Sequence, residues 1–67
     1  MVKTELLREA IDRSGLKLGF IADEIGISRQ SLASKIDGVY DFKVSEVSKI
    51  SKIIGLSTTD RNTIFFK

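Results

Sequence analysis

The chain has no cysteine, histidine, proline or tryptophan among its 67 residues. Without cysteine there is no disulfide framework, and without cysteine or histidine the common zinc sites cannot form. No acidic spacing suggests a carboxylate metal site, so no metal and no cofactor is expected. Histidine is also the usual general base. Ser28, Ser31 and Ser34 therefore have nothing to activate them, and no Gly-x-Ser-x-Gly elbow presents a nucleophile. Asp23 and Glu24 are adjacent and diverge on a helix, while Gly15 and Gly19 lack the spacing of a phosphate-binding loop. Neither an enzyme nor a small-molecule substrate is expected. An apolar run near the roughly 18 residues needed to cross a membrane is missing, as is a basic-then-apolar leader. No membrane partner is expected, and the cytoplasm is the default location. An excess of one charge sign is missing too: 11 Lys and Arg against 9 Asp and Glu leave +2. A protein that binds DNA largely by counterion release concentrates more positive charge than that.

What is present is an ordinary globular balance, 42% hydrophobic and 30% charged, in a length that predicts one domain over residues 1–67. The expected fold class is all-α, four to five helices and no sheet. Leu6, Leu7, Ala10 and Ile11 form a helical stripe that predicts a first helix over Met1–Ser14, stopped by Gly15. Lys17–Ile25 and Ser28–Ile36 read as the second and third helices, and Val39–Lys43 as a loop. Val44, Val47, Ile50 and Ile54 share a face of a fourth helix, Val44–Ile54, with Ser45 and Ser48 on another face. Leu56 to Thr59 has turn chemistry, and Asp60–Phe66 is a short helix or an extended tail.

The run from Gly15 to Gly38 is the most specific stretch. Ile21, Ala22 and Ile25 make one apolar stripe, with Ala22 small enough to allow a close helix crossing. Gly26 follows the last stripe residue, where a left-handed conformation costs a residue without Cβ least. Ile27 is an apolar plug for the turn, and Ser28 is suited to cap the next helix. Leu32 and Ile36 then face inward as an i, i+4 pair, leaving Arg29, Gln30, Ser31, Ala33 and Ser34 outward. Asp37-Gly38 closes the helix. The pattern is a helix-turn-helix over residues 17–36.

These residues resemble the lambda-repressor-like helix-turn-helix family, the Cro and repressor group. Leu16, Ile21, Ala22, Ile25, Gly26, Ile27, Ser28, Leu32 and Gly38 match its pattern in order. The ending Asp-Arg-x-x-Ile-Phe-Phe, with Asp41-Phe42-Lys43 and Ser45-Glu46 earlier, looks like small prophage-encoded Cro-like proteins. The resemblance implies a compact four- to five-helix DNA-binding domain whose third helix enters the major groove. Base reading then falls to Arg29 and Gln30, the types that pair bidentately with guanine and adenine, and to Ala33 and Ser34. Phosphate contacts fall to Lys17, Ser28, Ser31, Lys35, Tyr40 and Lys43. The alternative for Arg29 and Lys35 is that they are solvated surface charges. The chain departs from the family at Leu18, where a glutamine commonly meets a phosphate, and Lys17 takes over there as a point charge. Asp37 and Asp41 also stand where the family usually supplies cations.

Two roles follow. The first is a transcriptional regulator of phage or prophage type, binding an operator in double-stranded DNA as a homodimer. The second is an antirepressor that keeps the fold but docks on a phage repressor protein and blocks its DNA binding. Its surface would be Leu18, Phe20, Arg29, Asp37, Tyr40 and Asp41, the acids pairing the repressor's cations. Phe20 lies off the apolar stripe and is assigned to the core, with a partner surface as the alternative. The contiguous Ile64-Phe65-Phe66 closes the core or meets a dimer partner.

Overall fold

The computed structural model describes residues 2–66 and contains five helices: α1 (Thr4–Ser14), α2 (Leu18–Ile25), α3 (Arg29–Ile36), α4 (Val44–Ile53) and α5 (Thr58–Phe65). Each buries a stripe at helical period. Leu7, Ala10 and Ile11 come from α1, Ile21, Ala22 and Ile25 from α2, and Leu32 and Ile36 from α3. Val47 and Ile50 of α4 and Ile64 and Phe65 of α5 complete one apolar cluster. The second helix is the hub and packs against both α3 and α4, while α1 packs on α3 and α5, and α5 also lies against α4. Among the described residues no helix is long and apolar enough to cross a membrane.

The turn between α2 and α3 is closed by its backbone. Gly26 takes a left-handed φ of 82°, so the Ile27 amide reaches back to the Ala22 carbonyl at 3.0 Å and the Gly26 amide to that of Asp23 at 3.2 Å. This pair of bonds satisfies two carbonyls that the helix end would otherwise orphan. Ile27 packs against the core as the turn's apolar plug. The next helix starts at once, because the Ser28 hydroxyl accepts from the Ser31 amide at 3.0 Å. Capping of this kind contributes about 1 kcal/mol.

Several expectations shift. The first helix begins at Thr4, with Lys3 as a cap residue that has no side-chain acceptor. The Lys3 amide instead donates to the Ile64 carbonyl at 2.8 Å and ties the chain's start to α5. Met1, expected within that helix, lies outside the described residues. The final segment is helical from Thr58, because the Ser57 hydroxyl caps the Asp60 amide at 3.1 Å. Val44, assigned to the apolar face of α4, is 78% exposed. It is the first residue of that helix, one turn before Val47 and beyond the reach of the core. The tail divides: Ile64 and Phe65 are buried and Phe66 is 57% exposed. Phe42, in the loop before α4, sets its ring edge-on to Phe65, with centroids 5.3 Å apart and planes at 85°. That contact fastens the α3–α4 loop to α5.

Leu32 is fully buried at the centre of α3. Leu32→Ala is expected to cost about 2–5 kcal/mol in urea unfolding. A loss below about 1 kcal/mol would mean that α3 is not packed as described.

Candidate functional site

Only the first turn of α3 stands clear of the body. Ser28, Arg29, Gln30 and Ser31 are all exposed, whereas Leu32 and Ile36 behind them are buried. The Ser28 hydroxyl accepts from the Ser31 amide and donates to Ser31 Oγ at 2.9 Å. The Ser31 hydroxyl proton therefore remains available to an outside acceptor. Arg29 and Gln30 follow the cap directly, on the helix end that carries positive partial charge.

The other half of α3 is more enclosed than the first. Ala33 and Ser34 are half-buried, and Ala33 lines a shallow cleft with Arg8, Ile11, Leu18, Ile36 and Asp37. Lys35 is not a free cation for phosphate. Its ammonium meets Glu46 Oε1 at 2.5 Å, and both side chains are largely buried. The reason lies in α4: Glu46 is three residues past the cap residue Lys43, and the same carboxylate oxygen accepts the Lys43 amide at 2.9 Å. A lysine cap has no acceptor of its own, so only this return half of a capping box is made. Burial raises the Glu46 pKa, but the Lys35 hydrogen bond, the Lys43 amide and the two lysine charges together bring it below its ordinary value.

The remaining residues fall around this turn. Lys17 precedes α2 and is exposed, while Leu18 is half-buried and packs on the core rather than forming an outer surface. Phe20, assigned to the core, is 51% exposed, because Ile21 and Ala22 occupy the inward arc of α2. In the loop after α3, Val39, Tyr40, Asp41 and Lys43 are exposed. Asp37 is engaged: Arg8 reaches across from α1 to pair with it. Both side chains of that pair stay about half exposed, so Asp37 and Asp41 both remain at the surface beside the interface. Neither Arg8 nor Glu46 was given a role at the site from sequence. Each acts through a partner distant in the chain, and the one local hint, an acid three residues into α4, follows a lysine instead of a usual cap residue.

Comparison with protein families, curated proteins and solved structures found no match to this chain.

The buried ion pair generates a pH dependence. Since the Glu46 pKa is lowered on folding, its contribution is complete above the unfolded value of about 4.3 and is lost as pH falls through the folded value. Glu46→Gln is therefore expected to melt at lower temperature at pH 7 and to lose stability less steeply than the parent below pH 4.5 or so. Thermal melts across pH 3–7 measure both. Parallel acid limbs for the two proteins would show that the pair carries no such energy.

Proposed function

We propose that this chain is a DNA-binding transcriptional regulator of phage or prophage type, with α2 and α3 acting as a helix-turn-helix. The observation that carries the reading is the Arg29-Gln30-Ser31 turn. It is the exposed, acid-free end of a short helix whose remaining residues are committed to the body. A helix held by its far end and open at its N-terminus is suited to insertion in a major groove. Arg29 and Gln30 then read base edges, with preference for guanine and adenine. The Ser31 hydroxyl, Lys17 and Lys43 meet the phosphates on either side, and Tyr40 adds a hydroxyl from the loop. Ala33, Ser34 and Lys35 drop out of the contacting set.

The protein acts as a homodimer in this reading, with half-sites about one DNA turn apart. Val44 and Phe66 are exposed and line adjoining hollows between α4 and α5, an apolar surface suited to a second copy. The antirepressor reading draws support from a different place. Val39 and Tyr40 are large, apolar and exposed beside Asp41, which is exposed too, and such a surface suits a basic protein partner. Asp37 is exposed as well, and its surface pairing with Arg8 is of a kind that contributes little and exchanges readily for a partner's cation.

Fluorescence anisotropy on duplex DNA from the protein's own upstream region, in a salt series, separates the two. Under the regulator reading Arg29→Ala costs about 1–3 kcal/mol and relaxes preference at one base pair. Lys17→Ala weakens all sequences alike and lowers the log–log salt slope by about 1. Asp41→Asn tightens binding, because it removes a carboxylate facing phosphate. If the parent binds no DNA but displaces a repressor from its operator, and Asp41→Asn weakens that displacement, the antirepressor reading replaces it.

A further inference from the structure

The surface between α4 and α5 carries two charges that the body does not match. Val44 opens α4 and Phe66 follows α5, and they are 78% and 57% exposed. With Val47 they form a wall shared by two adjoining hollows. Each hollow has one charged residue in its lining, Asp41 in the first and Arg61 in the second. Asp41 is exposed and enters no salt bridge among the described residues. Arg61 is half-buried and meets no carboxylate among them either. Its Nε is out of contact with water and finds no acceptor among them, while Nη2 makes one long bond to Asn62 Oδ1 at 3.4 Å. A buried donor without an acceptor is costly, and an outside carboxylate would let the guanidinium turn to meet it.

We infer that this face is the contact between two copies of the chain, with Val44 and Phe66 packed across a two-fold axis and Asp41 of each copy paired with Arg61 of the other. The inference rests on the homodimeric reading above and names its surface. Symmetry carries the argument. In a two-fold contact between identical copies, residue i meets residue j and j meets i. A surface matches itself under that operation when its acid and its base flank a shared centre. Here the centre is the apolar wall, with Asp41 in the hollow on one side and Arg61 in the hollow on the other. A second copy therefore satisfies both charges, whereas a basic or an acidic partner would match one and repel the other. The result is an apolar middle with a charged rim, the usual anatomy of an interface. This face is also built from other elements than the DNA-reading turn, since α3 packs on α1 and α2 and α5 on α1 and α4. In the dimer Asp41 faces the partner's Arg61. The tighter DNA binding expected of Asp41→Asn is thus a half-site property, read on a duplex that takes one copy.

Sedimentation equilibrium without DNA is the test, with thermal melts of each variant at a concentration where the parent is monomeric. A patch of this size belongs with weak interfaces, so the parent is expected to dimerise with a Kd of about 10–100 μM. Val44→Glu alters an exposed position, and it is expected to melt with the parent and to dimerise at least about tenfold more weakly. Asp41→Arg sets base against base in both pairs, and Arg61→Glu sets acid against acid. Each alone is expected to lose at least about tenfold in dimer affinity. Mixed in equal amounts, the two are expected to form a heterodimer within about threefold of the parent affinity, because the two reversed charges then face each other and so do the two unaltered ones. A variant that fails to fold gives no such rescue, and a purely apolar contact leaves both single variants dimeric. A parent that stays monomeric at about 1 mM, or folded single variants that dimerise like the parent, would overturn the inference. So would a mixture of folded variants no tighter than its components. Where Arg61→Glu unfolds, Val44→Glu decides alone, and an undiminished dimer overturns the inference. Dimerisation without DNA binding keeps this contact and removes the DNA-reading role; DNA binding by a strictly monomeric protein does the reverse.

Discussion

The Lys35–Glu46 pair decides how α3 is held. One carboxylate oxygen is shared between the Lys35 ammonium and the Lys43 amide, so a single group starts α4 and anchors the far end of α3. A buried pair of this kind adds little net stability compared with an apolar replacement, but breaking one side of it is costly. Its value here is positional. Together with Leu32 and Ile36 it commits the second turn of α3 to the body, and Arg8 of α1 pairs with Asp37 at the surface beyond it. What remains free is the first turn.

That division explains why the candidate interface is small. Two turns of helix offer only a few outward positions, and the structure leaves Ser28 to Ser31 as the contiguous exposed set. The turn before them is rigid for backbone reasons. Its carbonyls are taken by the Gly26 and Ile27 amides, and its last residue caps the next helix. An arginine and a glutamine at the head of such a helix are placed by the fold instead of by their own side-chain packing. Few cations surround them, in keeping with a net charge of +2. Affinity in this reading comes more from groove contacts than from a broad field.

Much of the architecture was legible because it is written locally. Glycine shortly after an apolar stripe marks the ends of α2, α3 and α4, and serine before one marks the start of α3, whereas α2 and α4 start after Lys17 and Lys43, which have no acceptor to cap with. The start of α5 was harder, since Thr58–Phe65 has its buried residues only at the end and the Ser57 cap stands alone as a signal. The fates of individual side chains were less legible for a different reason. Whether Lys35 faces out depends on an acid eleven residues away, and whether Asp37 is free depends on an arginine in another helix. Phe20, Leu18 and Val44 lie at the edge or the end of a short apolar stripe, where a small rotation decides between core and solvent.

The most direct test of the account is an NMR titration of the labelled protein with a mixed-sequence duplex. The account predicts backbone and side-chain shifts concentrated at Lys17 and Ser28 to Ser31, with Lys43 at the margin and Lys35 unmoved. Shifts centred on Val39 to Asp41 or on Val44 and Phe66, or no shifts at all, would contradict it.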